Sequence, residues 1–290
     1  MDTITTAYLS RLGLEAERPS ADALARLHRA HVERIPYETF WIHQKQGWGI
    51  DQAESTRRVA TTRRGGYCFQ LNGAFATLLA RLGYRVTLNV AGVHEEAGPD
   101  VATLRNHAAL VVEGLPSDTN PGGRWWVDAG LGDALYDPMP LMDGVMAQGR
   151  MRFGMTAVAA GGVGDWHLTH DPSGSFTGVS LVDRPVSMDV FAERHVYNAT
   201  SPESGFARTV TAQRRHAQGM SVVRGCVYTR HDGGVVTTHT CESLPEWLDV
   251  LEGEFGLSFS DVSGAALAQL WTSVRRTHDA WLAASSRRTA

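Results

Sequence analysis

Lysine is nearly absent from this 290-residue chain: Lys45 stands alone, and every other cation among the 27 basic residues is arginine. Against 31 acidic residues the formal charge is −4, so the electrostatic footprint that nucleic acid or an anionic membrane surface requires is missing. No stretch reaches the ~18 consecutive apolar residues of a membrane helix. The first residues, MDTITTAYLS, lack the basic flank and apolar core of an export signal, and a cytoplasmic protein is expected. Cysteine is scarce as well. Cys68, Cys226 and Cys241 have no metal-ligand spacing and cannot all pair, which excludes a disulfide scaffold. Cys226 and Cys241 flank a hairpin expected around Asp232-Gly233-Gly234, yet in a reducing compartment both are expected as free thiols. With only 11 Pro, 43% apolar and 20% charged residues, disorder, collagen and coiled coil are excluded, leaving a globular chain of two or three lobes at ~150 residues per ordinary domain.

What is present divides into three stretches. Residues 20–33 carry Leu24, Leu27, His28, His31 and Val32 at helical spacing behind Ser20, a good N-cap. Residues 34–67 read as a loop-rich connection with short helical pieces. The sharpest helix follows: Leu71, Ala74, Phe75, Leu78, Leu79 and Leu82 repeat at helical spacing until Gly83 stops them. Beyond Gly83 the period becomes alternating, with strands expected at 84–94, 107–115, 124–128, 151–158, 166–170 and 176–185. A short helix at 188–198 leads to a third stretch with strands near 205–212, 221–230 and 234–240 and helices at 244–255 and 265–284. The expectation is an α+β fold: a helical bundle over 1–83, a β-barrel over 84–190 and an α/β lid over 191–290.

Cys68 sits in RRGGYCFQLNG, after a Gly-Gly turn and at the first turn of the best helix. Unpaired N–H groups and the positive dipole end there favour a thiolate, the form that attacks a carbonyl. A nucleophilic cysteine needs an imidazole partner and a group to orient it. His107 opens the apolar run HAALVV, and Asp128 closes WWVDAGLG, where a carboxylate at the end of an apolar strand calls for a cation. A symmetric hairpin centred near residue 119 or 120 sets Asp128 against Val111 instead of His107, so spacing leaves their contact open. His28 and His31 share a helix face, but no third ligand is evident and no metal is expected. Trp125-Trp126 reads as strand packing.

Taken together, RRGGYCFQLNGAF, NHAALVV and WWVDAGLG, with Cys68, His107 and Asp128 separated by 39 and 21 residues, resemble the arylamine N-acetyltransferase family. Ile35-Pro36-Tyr37-Glu38 is similar to that family's Ile-Pro-Phe-Glu, and residues 198–206 to its Thr-x-Pro-x-Ser-x-Phe loop, so the likeness spans about residues 20–210. The resemblance implies a helical bundle, a β-barrel and an α/β lid, with Cys68 as acyl-accepting nucleophile, His107 as its ion-pair partner and Asp128 orienting His107. It implies the Phe69 backbone N–H as an oxyanion donor and Tyr37, Asn106, Leu131, Gly132 and Phe206 as lining of the substrate and CoA pocket. Thr39-Phe40 replaces the usual Asn-Leu, Asn106 a Thr or Ser, and Leu131 an aromatic residue.

By this resemblance the chain transfers an acetyl group from acetyl-CoA, a cosubstrate and not a tightly bound cofactor, to an arylamine or hydrazine by a ping-pong route, as monomer or homodimer. A second reading is an amide synthase that takes a long acyl chain from a carrier protein and closes a macrolactam. A papain-like or transglutaminase-like hydrolase shares the Cys, His, Asp order, and a non-enzymatic binding module has no need of three polar residues at the ends of apolar elements.

Overall fold

The computed structural model describes residues 1–95 and 98–286. Its helical first part contains α1 (Thr3–Leu12), α2 (Ala21–Arg34), the two-residue strand β1 (Tyr37–Glu38), α3 (Phe40–His43), α4 (Gln52–Thr61) and α5 (Cys68–Arg81). Ser20 caps α2 by accepting the Ala23 N–H at 3.1 Å. The expected stop of α5 is present, with Gly83 at φ +89 and the Tyr84 N–H returning to the Leu79 carbonyl. α5 is buried on nearly all sides, its Leu71, Phe75 and Leu79 fully enclosed. Truncating any one of these to alanine costs about 2–5 kcal/mol.

Two helices here were not legible from periodicity. The α1 helix lies before the expected start and is capped by Asp2, whose Oδ1 accepts the Thr5 N–H at 2.9 Å. In the stretch read as a loop-rich connection with short helical pieces, the ten-residue α4 buries Ser55, Thr56, Val59 and Ala60. Small and polar residues form its inner face, so no strong apolar stripe announces it.

The middle part is an antiparallel eight-stranded sheet curled into a nearly closed barrel. Its strands are β2 (Arg85–His94), β3 (His107–Glu113), β4 (Trp125–Val127), β5 (Met139–Pro140), β6 (Gly144–Gln148), β7 (Met151–Ala157), β8 (Trp166–Thr169) and β9 (Gly178–Pro185), in the spatial order β5-β4-β3-β2-β9-β8-β7-β6. Alternation sends Ala109, Val111, Trp126, Phe153, Met155, Leu168 and Leu181 into the barrel core. The other face of β3 and β4, with Ala108, Leu110, Val112 and Val127, packs into the core that α5 shares. The short β5 and β6 were not expected, since two to five residues with an exposed face carry no clear alternation.

The last part has α6 (Ala192–Thr200), α7 (Gly205–Arg208), strands β10 (Thr211–His216), β11 (Gly219–Arg224), β12 (Val227–Asp232) and β13 (Val235–Thr240), then α8 (Leu244–Phe255) and α9 (Gly264–Ser286). The strand expected at 205–212 is instead one helical turn followed by a strand from Thr211, because Ser204 Oγ accepts the Phe206 N–H and starts α7. The single strand expected at 221–230 is two, broken at Gly225 with φ +62. Cys226 and Cys241 lie across the β12–β13 hairpin, with the Cys241 N–H donating to the Cys226 carbonyl at 2.9 Å, and both are buried free thiols. The sheet order is β1-β10-β11-β12-β13, so the little strand beside the cysteine loop is the edge of the third part's sheet. Among the described residues no helix is long and apolar enough to cross a membrane.

Candidate active site

The loop before α5 is fixed by close backbone packing. A Cβ on Gly65 would sit 1.8 Å from the Pro36 carbonyl oxygen, and Gly66 holds φ +149, so neither position accepts a side chain without strain. The Glu38 N–H donates to the Gly66 carbonyl at 2.8 Å. Below it Arg64 and Glu38 form a fully buried ion pair at 3.1 Å, and the Arg64 guanidinium lies over the rings of Trp48 and Phe259. The Tyr67 N–H donates to Gln70 Oε1 at 3.1 Å, half of a capping box. Cys68 is therefore the first residue of α5, 4% exposed, where first-turn N–H groups, Phe69's among them, have no intrahelical acceptor.

His107 and Asp128 meet. His107 Nε2 lies 2.7 Å from Asp128 Oδ2, and both side chains are buried. The hairpin expectation was off by one residue at its centre: the turn is Ser117–Asn120, which pairs Val111 with Trp126 and Leu110 with Val127. Moving the centre by one moves the register by two, so Asp128 follows Val127 toward the Ala109 end of β3 and reaches His107 diagonally on the same sheet face. Cys68 lies within hydrogen-bonding reach of the His107 ring. With Nε2 engaged by Asp128, Nδ1 is the ring nitrogen left for the thiol.

Three supporting residues were missed in the sequence reading. Asn72, one turn after Cys68, donates from Nδ2 to Asp128 Oδ1 at 2.8 Å and to the Ala108 carbonyl at 2.5 Å, while its Oδ1 accepts the Ala129 N–H at 2.9 Å. It ties the helix that begins at Cys68 to the strands that carry His107 and lead to Asp128; the available signal was a polar residue four positions from Cys68 on an apolar face. The Trp126 indole N–H donates to Asp128 Oδ2 at 3.2 Å, so half of the tryptophan pair supports the carboxylate. Burial lowers the His28 pKa, opposed by hydrogen bonds to the Tyr136 and Asp128 carbonyls. Its Nδ1 is 3.0 Å from the Tyr136 carbonyl, and its Nε2 takes the Asp128 N–H at 3.3 Å. His31 binds the Tyr8 hydroxyl at 2.7 Å. Among the described residues no three His, Cys, Asp or Glu side chains gather to hold a metal.

Burial opposes the His107 imidazolium, but the Asp128 carboxylate, its hydrogen bond and Cys68 overcome it and push the pKa up to about 10. Burial likewise raises Asp128, and the His107 charge with bonds from His107, Asn72 and Trp126 outweighs it, leaving Asp128 below the ordinary carboxylate value. The pair is thus charged at neutral pH. Gly130 has to be glycine here: a Cβ would lie 2.6 Å from Cys68 Cα.

Of the expected pocket residues, Tyr37, Leu131 and Gly132 border a cavity of about 10 Å³ beside Asp128, together with Gln213 and Arg215 of β10. Asn106 and Phe206 do not line it. The Asn106 amide accepts the Val93 N–H at 2.8 Å and donates to the Val93 carbonyl at 3.1 Å, pinning β2 beside β3. Phe206 packs edge-on against Tyr67 with ring centres 5.5 Å apart. A larger cavity of about 510 Å³ lies elsewhere, between the start of α2 and β4–β6, and contains no member of the Cys68 cluster.

A sequence profile of an N-acetyltransferase family matches residues 20–263. Arylamine N-acetyltransferase of Mycolicibacterium smegmatis is 27% identical over 275 residues, covering 89% of this chain and 93% of that protein. The arylamine N-acetyltransferase / N-hydroxyarylamine O-acetyltransferase of Salmonella typhimurium is 25% identical, covering 90% and 92%. The solved structure of the Salmonella typhimurium enzyme superposes with TM-score 0.81 at 23% identity over 94% of this chain and 99% of that one, which shows the shared fold. The chain is an acyltransferase and belongs to the arylamine N-acetyltransferase family.

Proposed function

We propose that this enzyme moves an acetyl group from acetyl-CoA to an arylamine or hydrazine through an acetyl-Cys68 intermediate. The observation that carries the reading is the buried His107–Asp128 contact at 2.7 Å with Cys68 in reach at a helix N-terminus. A charged imidazole beside the sulfur favours the thiolate. The thiolate attacks the thioester carbonyl, the oxyanion is met by first-turn N–H groups such as that of Phe69, and the CoA sulfur departs with a proton from His107. An amine then attacks the acetyl-enzyme, neutral His107 accepts its proton, and the Cys68 thiolate is expelled. Asp128 keeps His107 oriented and stabilises its charge through both half-reactions.

The test is mass spectrometry after mixing the protein with acetyl-CoA alone, followed by initial rates in both substrates. A single acetyl group on Cys68 and parallel double-reciprocal lines are expected. Acetyl on Cys226 or Cys241, or intersecting lines, overturns the covalent route. Loading by a long-chain thioester but not by acetyl-CoA transfers the assignment to the amide synthase.

A further inference from the structure

The far edge of the third part's sheet is bare. β13 pairs with β12 along its whole length, from Val227 with Thr240 to Asp232 with Val235, and lies last in the order β1-β10-β11-β12-β13. Among the described residues no other strand bonds to it. Every residue from Val235 to His239 is exposed, the valines Val235 and Val236 by 63% and 57%. The hairpin fixes which backbone groups are left over. The Cys241 N–H donates to the Cys226 carbonyl at 2.9 Å, so the positions bonded toward β12 alternate as 241, 239, 237 and 235. Val236, Thr238 and Thr240 therefore turn their N–H and C=O groups outward.

Edge strands that stay single are blunted by a lysine, an inward charge, a proline or a bulge. β13, Val-Val-Thr-Thr-His-Thr in unbroken register, has none of these. Its residues are β-branched except His239, which is held by Glu246 of α8 at 2.6 Å. The edge is also complementary to itself. Laid antiparallel on its own copy about Thr238, it sets Thr238 against Thr238 and Val236 against Thr240, each pair exchanging two N–H···O bonds, and Thr237 against His239. No like charges oppose one another. The same register carries Glu242 of one copy to the Gly233-Gly234 turn of the other. Glu242 holds Arg275 at 3.1 Å and still leaves 70% of its side chain exposed. Arg150 stands beside that turn, its Nε 3.3 Å from where a Cβ on Gly234 would lie. It is exposed and, among the described residues, in no ion pair.

We propose that β13 is the pairing edge of a homodimer: two copies join their five-stranded sheets into one through antiparallel β13–β13 bonds, closed at each end by Glu242 of one copy against Arg150 of the other. The contact is isologous, so it uses up the edge and stops at two copies. A strip one strand wide covers little surface, which makes the dimer a dissociable one whose share grows with concentration. No member of the Cys68 cluster lies on β13, and each copy keeps its own site.

Sedimentation velocity on the whole chain from about 1 to 200 μM, the span of a weak interface, reads this. The mass is expected to pass from that of one chain to that of two. Thr238→Pro removes an outward N–H and leaves the ladder to β12 in place, so thermal midpoint and turnover should hold while the mass stays that of one chain. Glu242→Arg should weaken the dimer about 10-fold, and Arg150→Glu added to it should restore the affinity. Thr238→Cys reads the register directly. Bonded antiparallel pairs hold their Cα atoms about 5.5 Å apart, so this variant should link to its own copy on oxidation with copper-phenanthroline, whereas Thr240→Cys should not. The link keeps the test decisive should Thr238→Pro fail to fold. A single-chain mass at every concentration overturns the proposal. So does a dimer that folded Thr238→Pro leaves intact, or one that Thr238→Cys does not link.

Discussion

Cys68 and the pair Cys226 and Cys241 are all buried, yet their surroundings are opposite in kind. The thiol of Cys68 begins a helix and lies within reach of His107, which Asp128 keeps charged. Cys226 and Cys241 face each other across a hairpin behind Trp247 and Leu251. Burial pushes Cys226 up, only partly offset by Arg275, and pushes Cys241 up to about 11. Burial alone thus makes a thiol inert. What distinguishes a nucleophile is a counter-charge buried with it, and that requires three elements from two parts of the molecule to meet.

The sharpest way to break the comparison is to remove each sulfur. Cys68→Ala should abolish acyl transfer, while Cys226→Ala and Cys241→Ala keep the rate within about twofold and cost only ~1–2 kcal/mol of stability. Equal loss in all three, measured as turnover and thermal midpoint, would erase the distinction. Next in size is Asp128→Asn. By the ~10⁴ loss for the corresponding change in a serine triad, Cys68 acylation should fall by three to four decades in a protein that still melts cooperatively. Stopped-flow release of CoA measures it, and an unchanged rate would make Asp128 a turn residue.

Asn72→Ala tests whether the supporting layer matters. It leaves the Asp128 carboxylate short of a donor and strips partners from the Ala108 carbonyl and the Ala129 N–H. A loss of about 2–4 kcal/mol in stability is expected. Because Asn72 acts through Asp128, the alkylation rate of Cys68 should also fall, by about 10- to 100-fold, with its fall at high pH displaced downward. A stability loss with an unaltered pH profile would reduce Asn72 to packing.

The pH dependence of stability tests the pair without a mutation. His107 is raised to about 10 from its ordinary 6.5, so the pair's contribution is complete below about pH 6.5 and is lost as pH climbs toward 10. Asp128 is lowered, so on the acid side the same contribution persists down to about pH 4 and is lost as pH falls through its folded-state value. Thermal midpoints against pH should form a plateau between these limits that Asp128→Asn flattens on the alkaline side.

Where the chain's own pattern spoke, it spoke through local spacing. The α5 helix, its Gly83 stop and Cys68 at its start were legible because six apolar residues repeat on one face. The helices α1 and α4 were not: the first was passed over, and the second buries small polar residues that leave no stripe. His107 and Asp128 were visible as polar residues at the ends of apolar strands, but their contact was not. Neither were the roles of Asn72, Trp126 and His28, whose partners lie 2 to 108 residues away. Asn106 was placed in the pocket by resemblance, while its amide binds the backbone of Val93.

The amino-acid sequence by itself determined which residues could do chemistry and on which element ends they stand, because helical and strand periods and capping residues act over a few positions. The tertiary structure decided the rest. One residue in the position of the Ser117–Asn120 turn set whether a carboxylate faces His107, and the edge strand Tyr37–Glu38 brought Gln213 and Arg215 against the same turn. Register and burial are properties of contacts between distant segments, and a buried charge takes its energy from whatever those contacts place beside it.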